Sequence, residues 1–391
     1  MYERSSFANG ASEVSQSPAA LTGVFVRRLV LEGFRTYAFL DLHFSEDKNC
    51  VVLHGKNGSG KTNLLEAVSF LTAGKGLRGA KLDDVARRGD VPVRRWTVSG
   101  VLEKTGETFK IGTGKTFQNP QERRRLVRIN GEECKNQADL AHLVPMVWLT
   151  PSMDRLFSGE PSSRRRFFDR LCQCFDVGHA GRSLAYVSAL RQYNLLLREG
   201  GADINWLKAL EVSLAKYGSA ILKTRAQVAA LIKERLEQGV LSFPKAVLSD
   251  MPTADEDELR RRFEQARLNG QTSLIAPHTT DLKVVNRDKN MPAHMCSTGE
   301  QKALLISVLL AHLQALGAQK GVLPVLLLDE AGAHLDVERK DGFFDYLKTL
   351  NTHVWLTGTQ AESFEILKQN AQFFPVEDLL NDRACLNAAA S

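Results

Sequence analysis

The stretch "HGKNGSGKTN", residues 54–63, decides how this chain folds. It contains the pattern G-x-x-x-x-G-K-[S/T] of a phosphate-binding loop, in which glycines let the backbone wrap around phosphate oxygens. Lys61 would reach the outer phosphates of ATP, and the Thr62 hydroxyl would bind Mg²⁺. The candidate nucleotide-binding residues are Gly55, Lys56, Asn57, Gly58, Ser59, Gly60, Lys61, Thr62 and Asn63.

The segments beside this loop have the strand and helix patterns that the motif requires. "NCVVLHG" is the short continuous apolar run of a fully buried strand, and we expect a helix over residues 63–72. Upstream, "VFVRRLVLEGF" and "LDLHF" alternate apolar and polar residues, as half-buried strands do. Residues 96–129 contain further alternating segments, which we expect to break at Thr105 and Gly106 and at residues 112–114. These segments predict an antiparallel flank.

A second motif, "LPVLLLDEAGAHLD", residues 323–336, supplies acidic groups. Two carboxylates end an apolar strand, where burial is unfavourable without a specific role. Beside a phosphate-binding loop, Asp329 is suited to the magnesium shell and Glu330 to orienting or deprotonating water. Lys61 and Glu330 are therefore the candidate catalytic residues, and Thr62 and Asp329 the candidate metal ligands.

A third stretch, "MCSTGEQKALL", residues 295–305, runs from small polar residues into a helix whose first N–H groups could bind an anion. By itself "STGE" is also a good capping box, so both interpretations stay open. "CSTGEQK" resembles the signature loop of ABC-type ATPases, and "AHLD" resembles their D-loop. The resemblance implies contact with ATP held by a second copy, in an ATP-dependent homodimer. The residues concerned are Ser297, Thr298, Gly299, Glu300, Gln301 and Asp336.

The chain divides into regions of different character. The first 20 residues read as a loose polar tail. The stripe Leu207, Leu210, Leu214, Tyr217, Ile221, Val228, Ile232 and Leu236 predicts a long helix in the middle of the chain. The α/β character returns from about residue 271, so we predict an α/β ATPase lobe of residues 21–151 and 271–391, into which residues 152–270 are inserted as a helical lobe. Domains that follow one another along the sequence are the alternative.

Composition limits the partners and the compartment. The 391 residues carry a formal charge of +6, and arginine occurs in clusters. One cluster, Arg123, Arg124, Arg125 and Arg128, is a candidate DNA-binding group, although arginine runs are usually solvated faces and Arg164 to Arg166 could instead pair with acids of the helical lobe. The six cysteines form no CxxC pair, which fits a reducing cytoplasm. We expect no membrane span because no 18 apolar residues run together.

The spacing of the motifs and several longer stretches resemble the RecF family of bacterial recombination mediators. Lys61 and Gly299 are farther apart than in transporter ATP-binding subunits and much closer than in SMC proteins with coiled-coil arms. The similar stretches are "LEGFRTYAFLDLHF", "GKNGSGKTNLLEAV", "LTPSMDRLFSGEPSSRRRFFDR", "SLIAPHTTDL", "STGEQKALLISVLL" and "PVLLLDEAGAHLD". The chain departs from the family in ending its acidic strand with Asp-Glu instead of two aspartates, and in reading "APHTTD" for "GPHRDD". No Q-loop glutamine can be placed, and the segment near Pro151 could serve that function with other groups.

The resemblance implies an ABC-type, SMC-like P-loop ATPase head with an antiparallel β flank and an inserted helical lobe. It implies that ATP pairs two heads, that the pair clamps duplex DNA near single-stranded gaps, and that hydrolysis opens it. It also implies weak DNA-stimulated ATPase activity and work with RecR and RecO to load RecA. Arg35 in "GFRTY" is similar to an arginine that approaches the nucleotide. The alternatives are a transporter ATP-binding subunit, a small-molecule kinase and the ATPase part of a nuclease.

Overall fold

The computed structural model describes residues 21–88, 93–117, 124–134, 137–199, 203–239, 243–269, 276–380 and 385–386. The predicted tail, residues 1–20, lies outside the described residues, as does Arg123. In chain order the described strands are β1 (Val24–Phe34), β2 (Tyr37–His43), β3 (Cys50–His54), β4 (Arg95–Lys104), β5 (Glu107–Thr116), β6 (Leu126–Ile129), β7 (Glu132–Glu133), β8 (Met146–Leu149), β9 (Ala246–Leu248), β10 (Val284–Asn286), β11 (Met291–Pro292), β12 (Val325–Leu328), β13 (Val354–Gly358), β14 (Ala371–Pro375) and β15 (Cys385–Leu386). The described helices are α1 (Lys61–Ser69), α2 (Gln137–Leu143), α3 (Pro161–Phe175), α4 (His179–Glu199), α5 (Ile204–Gln238), α6 (Glu256–Asn269), α7 (Thr298–Lys320) and α8 (Val337–Thr349).

A parallel sheet in the order β14-β3-β13-β12-β8 carries the motifs. Each neighbouring pair is parallel, so the carboxyl ends of the strands lie at one edge. β3 and β12 are apolar runs because both faces of this sheet are covered. The phosphate-binding loop follows β3 and the acidic pair follows β12. In open α/β sheets this edge is where ligands bind.

The predicted antiparallel flank is present. It is a sheet in the order β15-β2-β1-β4-β5-β6-β7, in which the pairs from β2 through β7 are antiparallel. β4 turns into β5 at Thr105 and Gly106, as expected. The second expected break, at residues 112–114, was wrong: these residues lie inside β5, paired with both β4 and β6. A Cβ at Gly114 would lie 2.5 Å from the Trp96 carbonyl oxygen, so close strand approach explains the glycine.

Helices fill the middle of the chain. α5 contains the whole predicted stripe, and α4 and α6 pack against it. α6 starts with three acids, Glu256, Asp257 and Glu258, which favour the positive end of the helix dipole. The short strand β9 was not anticipated, and it pairs with β10. The division into an ATPase lobe and a helical lobe stays a prediction.

Two large apolar cores lie on opposite faces of the parallel sheet. Along β3, Val51 and Leu53 belong to the core shared with α1 and the antiparallel flank, whereas Cys50 and Val52 belong to the core around α7. The second core also contains Val228 from α5. The C-terminal half of the long helix is therefore packed into the same interior as the sheet. Burial on both faces holds the carboxyl edge of the sheet rigid.

α7 is the central helix of the second core. Among the described residues, it is the one helix whose length and apolar composition would suffice to cross a membrane. In the structure 89% of its most apolar 18-residue stretch is buried inside the protein. Its apolar residues pack against the sheet and α5, as the core helix of a folded domain does.

Candidate functional site

The loop between β3 and α1 has the backbone geometry of a phosphate cradle. Gly58 and Gly60 have φ values of +84° and +101°, which side chains disfavour. A Cβ at Gly60 would lie 2.9 Å from the Tyr37 hydroxyl oxygen. α1 begins immediately afterwards, at Lys61, so the helix predicted over residues 63–72 is present but begins two residues earlier and ends at Ser69. Its first N–H groups face the loop, as anion binding requires.

Lys61 is buried inside this loop. Its Nζ donates hydrogen bonds to the carbonyl oxygens of Gly55, at 2.6 Å, and Lys56, at 2.8 Å. The Ser59 hydroxyl is buried and has no hydrogen-bond partner within the described part of the chain. The loop thus holds an ammonium and an unpartnered hydroxyl, and both groups can donate hydrogen bonds to phosphate oxygens. The loop therefore fits a nucleotide phosphate.

The two predicted metal ligands lie together. The Thr62 hydroxyl donates to both carboxylate oxygens of Asp329, at 3.1 and 3.0 Å. Thr357, at the end of β13, donates to Asp329 at 2.7 Å and fixes its orientation. In the described ranges no three His, Cys, Asp or Glu side chains group as a metal centre. One hydroxyl and one carboxylate fit Mg²⁺, which completes its shell with water and substrate phosphates.

Glu330 has an unusual backbone held at both ends. Its φ is +52°, in the left-handed region. Its N–H donates to the Thr357 hydroxyl at 3.0 Å, and its carbonyl oxygen accepts from Lys302 Nζ at 2.9 Å. Thr357 therefore orders both acids of the motif, although it lies outside every motif of the sequence analysis. Its one sequence signal was its place at the end of the strand in "HVWLTGT".

The segment after β8 occupies the neighbouring position at the sheet edge. Leu149 pairs with Leu328, and its carbonyl oxygen accepts from the Asp329 N–H at 2.9 Å. Asp154 then pairs with Lys302 at 3.3 Å. Burial raises the pKa of Asp154, and Lys302 opposes that rise. The stretch near Pro151 thus lies beside the acidic pair, where a Q-loop glutamine was sought.

Arg35 lies at one side of the phosphate-binding loop, in a fixed position. Its Nε and Nη2 each lie 2.8 Å from the fully buried carboxylate of Glu66 on α1, and Nη1 donates to the Asp84 carbonyl oxygen at 2.6 Å. Arg78 shares the Glu66 carboxylate at 3.1 Å and also binds Asn63 at 2.8 Å. Sequence reasoning missed Glu66, although it lies in "GKNGSGKTNLLEAV", and Arg78, which lies outside the quoted stretches, because no spacing pattern connects either residue to Arg35.

These arginines open onto a cleft of about 700 Å³. It is lined by Arg35, Thr36, Asn63, Arg78, Asp84, Ala86, Arg87, Arg88 and Leu380. The cleft adjoins the first turn of α1, so it can receive the nucleoside end of a nucleotide whose phosphates lie in the loop. Contact between Arg35 and that nucleotide stays a prediction.

A further acid closes the loop from the opposite side. Glu377, just after β14, accepts a hydrogen bond from the Lys56 N–H at 2.5 Å. This hydrogen bond lowers the pKa of the Glu377 carboxyl. Lys56 and Asn57 are exposed at the tip of the loop. Glu377 was not predicted because no pattern in the sequence connects it to the loop.

The capping box of the third motif is present. Ser297 accepts from the Glu300 N–H, and the Glu300 carboxylate accepts from the Ser297 N–H at 2.9 Å. Lys289 pairs with the same carboxylate, and that hydrogen bond, followed by those from Ser297, lowers the pKa of Glu300 to about 2. Gln301 is held by the Cys296 carbonyl and by Ser158.

The D-loop residues lie against this helix start. A Cβ at Gly299 would lie 3.2 Å from the His334 carbonyl oxygen, so the two loops are in contact. Asp336 caps α8 by accepting from the Arg339 N–H at 2.9 Å. Thr298 begins α7. Binding of a partner's ATP by these residues stays a prediction.

The arginine clusters separate into exposed and structural groups. Arg124 and Arg128 are exposed on and beside β6. Arg125 is buried and donates to the carbonyl oxygens of Phe70 and Thr72 at 3.3 and 3.1 Å, so we leave it out of any DNA-binding surface.

The cluster Arg164 to Arg166 pairs with an acid at one residue, but that acid, Asp281, lies outside the residues predicted as the helical lobe. Arg164 forms a two-pronged pair with Asp281 at 2.7 Å, which joins the "SSRRRFF" stretch to the "APHTTD" loop. Arg165 donates to the Thr280 carbonyl oxygen at 3.2 Å. Arg164 and Arg165 are therefore engaged by this loop rather than presenting a free cationic face.

Comparisons with known proteins identify the family of this chain. The family model described as "RecF/RecN/SMC N terminal domain" matches residues 25–380. A DNA replication and repair protein RecF from Mesorhizobium japonicum is 39% identical over 368 residues, covering 90% of this chain and 96% of the relative. The chain belongs to the RecF family. The RecF of Agrobacterium fabrum is 42% identical over 369 residues, covering 90% of this chain and 97% of the relative.

Solved RecF structures share the fold. A structure of the recombination mediator protein RecF-ATPrS in the RecFOR pathway has a TM-score of 0.73 at 22% identity and covers 89% of this chain and 95% of its own. A structure of RecF-ATP has a TM-score of 0.70 at 21% identity, covering 88% and 96%. At these identities the likeness shows the fold alone. The predicted fold class is confirmed. Membership of the RecF family also favours the RecF interpretation over the transporter, kinase and nuclease alternatives.

Proposed function

We propose that this protein is an ATP-dependent DNA-binding protein of DNA replication and recombinational repair in the cytoplasm. The observation that carries the proposal is the direct contact of Thr62 with Asp329 at the edge of the sheet, in a chain about 40% identical to RecF proteins over 90% of its length. ATP binding agrees with the RecF-ATP structure of the same fold. Mg²⁺ is the expected metal because the ligands are oxygen atoms.

The chain's own groups divide the work at the phosphates. Lys61 and the first N–H groups of α1 bind the phosphate oxygens, and Ser59 adds a hydroxyl. Thr62 and Asp329 would hold Mg²⁺, which neutralises charge on the phosphates when bound. Thr357 keeps the Asp329 carboxylate oriented. Glu330, next in the chain, orients the attacking water or takes its proton.

Dimerisation supplies the remaining contacts. The signature residues at the start of α7 would bind the ATP held by a second copy, which makes pairing depend on ATP. The D-loop, in contact with the signature through Gly299, would lie at the same junction. Each ATP is then enclosed between a phosphate-binding loop and a partner's signature loop, and hydrolysis releases the pair.

The paired heads would clamp duplex DNA near single-stranded gaps. Binding through phosphates rather than base edges gives weak sequence preference. We propose that the complex acts with RecR and RecO to help load RecA, in keeping with the RecFOR pathway named for the solved relatives. Weak DNA-stimulated ATPase activity would reset the clamp.

The phosphate-binding assignment is tested by equilibrium binding of a fluorescent ATP analogue to the wild-type chain and to Lys61→Ala. The variant should bind the analogue far more weakly because it lacks the ammonium group that makes charge-assisted hydrogen bonds to the phosphates. Lys320→Ala, at the exposed far end of α7, is the matched control and should bind normally. Equal affinity in Lys61→Ala and the wild type would refute the assignment.

A further inference from the structure

We propose that Lys302 is a positioning residue that links the signature loop of each chain to Glu330 of that same chain. The ATP bound by the partner would then set the geometry of the carboxylate that acts on the chain's own ATP. This inference rests on the proposed function, because it takes Glu330 as the water-directing acid and the start of α7 as the contact to the partner's ATP.

The contacts of Lys302 connect three motif segments. The residue lies three positions after Gly299, on the first turns of α7, and its side chain is 3% exposed. Its Nζ lies 2.9 Å from the Glu330 carbonyl oxygen and 3.3 Å from the Asp154 carboxylate. A buried ammonium needs partners, and both of these lie at the carboxyl edge of the sheet.

The hydrogen bond to Glu330 acts on a backbone that needs support. A non-glycine residue at φ +52° is disfavoured and persists only where its surroundings hold it. The Thr357 hydroxyl holds the N–H side of Glu330, and Lys302 shares the carbonyl side with the Ala333 N–H, which donates to the same oxygen at 3.0 Å. The direction of the Glu330 side chain depends on these backbone angles. Removing the Lys302 ammonium therefore releases one of three hydrogen bonds that hold the Glu330 backbone, and the one that comes from the signature helix.

α7 can carry a displacement from the signature loop to Lys302. The capping box fixes Ser297 and Glu300 to the first turn of the helix. Lys302 lies four residues after Thr298, about 6 Å along the axis at the usual rise per residue. A shift of the helix start on binding the partner's phosphate would thus move the Lys302 ammonium relative to Glu330. Each ATP site would influence hydrolysis at the other.

Mixed dimers test in which site Lys302 acts. One chain carries Glu330→Gln, so that it binds ATP without hydrolysing it, and the two chains carry different affinity tags for isolation of the mixed pair. Lys302→Met is then placed either on the hydrolysing chain or on the Glu330→Gln chain, and single-turnover hydrolysis and ATP affinity are measured. Lys302→Met on the hydrolysing chain should lower the rate by about 10- to 100-fold, as loss of a charged hydrogen bond does, with ATP affinity within about threefold.

The opposite placement gives the contrast. Lys302→Met on the Glu330→Gln chain should leave single-turnover hydrolysis within about threefold of the unsubstituted mixed dimer, because the hydrolysing chain keeps its own Lys302. A loss confined to this second arm, equal losses in both arms, or no loss in either would overturn the proposal. If the unsubstituted mixed dimer does not form with ATP, the proposed function fails and this inference fails with it.

Two further variants separate positioning from folding. Lys302→Met leaves Asp154 partly buried without its cation, so Lys302→Met with Asp154→Asn removes both charges and should fold normally. The double variant should show the same loss of rate in the hydrolysing chain, because the Glu330 carbonyl still lacks the charged donor from α7. A normal rate in a folded double variant would overturn the proposal. Lys320→Met, on the same helix, is the matched control.

Discussion

At the scale of single residues, the site depends on buried charges that restrain one another. Glu66 is fully buried, and it is held by Arg35 in two hydrogen bonds and by Arg78 in one. This carboxylate fixes the arginine that was predicted to approach the nucleotide. The sequence showed the arginine in "GFRTY" but not its partner, because the two lie 31 positions apart in no common motif.

Replacing Arg35 with Ala should therefore weaken both folding and ATP binding. The free energy of unfolding should fall by about 2 kcal/mol, since a buried carboxylate loses a charged hydrogen-bond partner while Arg78 remains. Denaturant titration and fluorescent ATP-analogue binding measure the two effects. Arg95→Ala is the matched control: its pair with Glu32 is exposed, so the unfolding free energy should fall by less than about 1 kcal/mol. Equal effects of the two substitutions would contradict this account.

At the scale of elements, periodicity predicted most strands and helices, whereas close packing decided the exceptions. The apolar runs of β3 and β12 and the stripe of α5 were predicted because their patterns reflect burial directly. The glycines at 112–114 suggested a break, but Gly114 lies in β5 because the Trp96 backbone comes too close for a side chain. Such a contact between strands has no local signal in the sequence.

Arg125 illustrates the same limit for side chains. It stands within an arginine cluster, yet its side chain is buried. Its guanidinium donates hydrogen bonds to the carbonyl oxygens of Phe70 and Thr72, just after the end of α1. Burial lowers its pKa to about 10. Thr357 and Glu377 were missed for a related reason: each acts on the site from the end of a neighbouring strand, and strand order is not written in local sequence.

The helical elements are joined by an ion pair that should make stability depend on pH. Asp169 on α3 binds Arg225 on α5 through two hydrogen bonds of 2.8 Å and also contacts His179 on α4. Burial by itself would raise the pKa of Asp169, but the hydrogen bonds from His179 and Arg225 outweigh it and lower the pKa to about 2. A carboxyl whose folded pKa lies below its unfolded value of 3.8 stabilises the fold above that value.

This stabilisation should be fully present above about pH 4 and should be lost as the pH falls towards 2. Urea titrations of the wild type and Asp169→Asn between pH 6 and pH 2.5 measure it. The difference in unfolding free energy between the two proteins should be large at pH 6 and should shrink at the acid end. A difference that stays constant across this range would contradict the assignment.

At the scale of the whole molecule, we propose that DNA is held by a pair of heads joined by ATP. Arg124 and Arg128 are exposed near the end of the antiparallel flank, and we propose that they bind DNA phosphates. Replacing both with Ala should lower DNA affinity for all sequences alike. It should also reduce the slope of log affinity against log salt by about 0.9 for each phosphate that is no longer neutralised. Fluorescence anisotropy with a labelled duplex over a salt series gives both quantities.

Arg125→Ala is the contrasting variant for this experiment. Its side chain is buried, so it should lower stability without changing the salt slope. The proposed surface would be wrong if the Arg124 and Arg128 variant kept the wild-type slope, or if Arg125→Ala changed it as much.

The central claim is that ATP joins two copies through the signature loop and thereby holds DNA. Sedimentation velocity of Glu330→Gln, with and without ATP and Mg²⁺, tests it most directly when a dye-labelled gapped duplex is followed at its own wavelength. The account predicts that protein and dye sediment together as a two-copy complex only when ATP is present, and that Lys61→Ala never forms this complex. A Glu330→Gln chain that binds ATP but stays monomeric, with the duplex sedimenting free, would contradict the account.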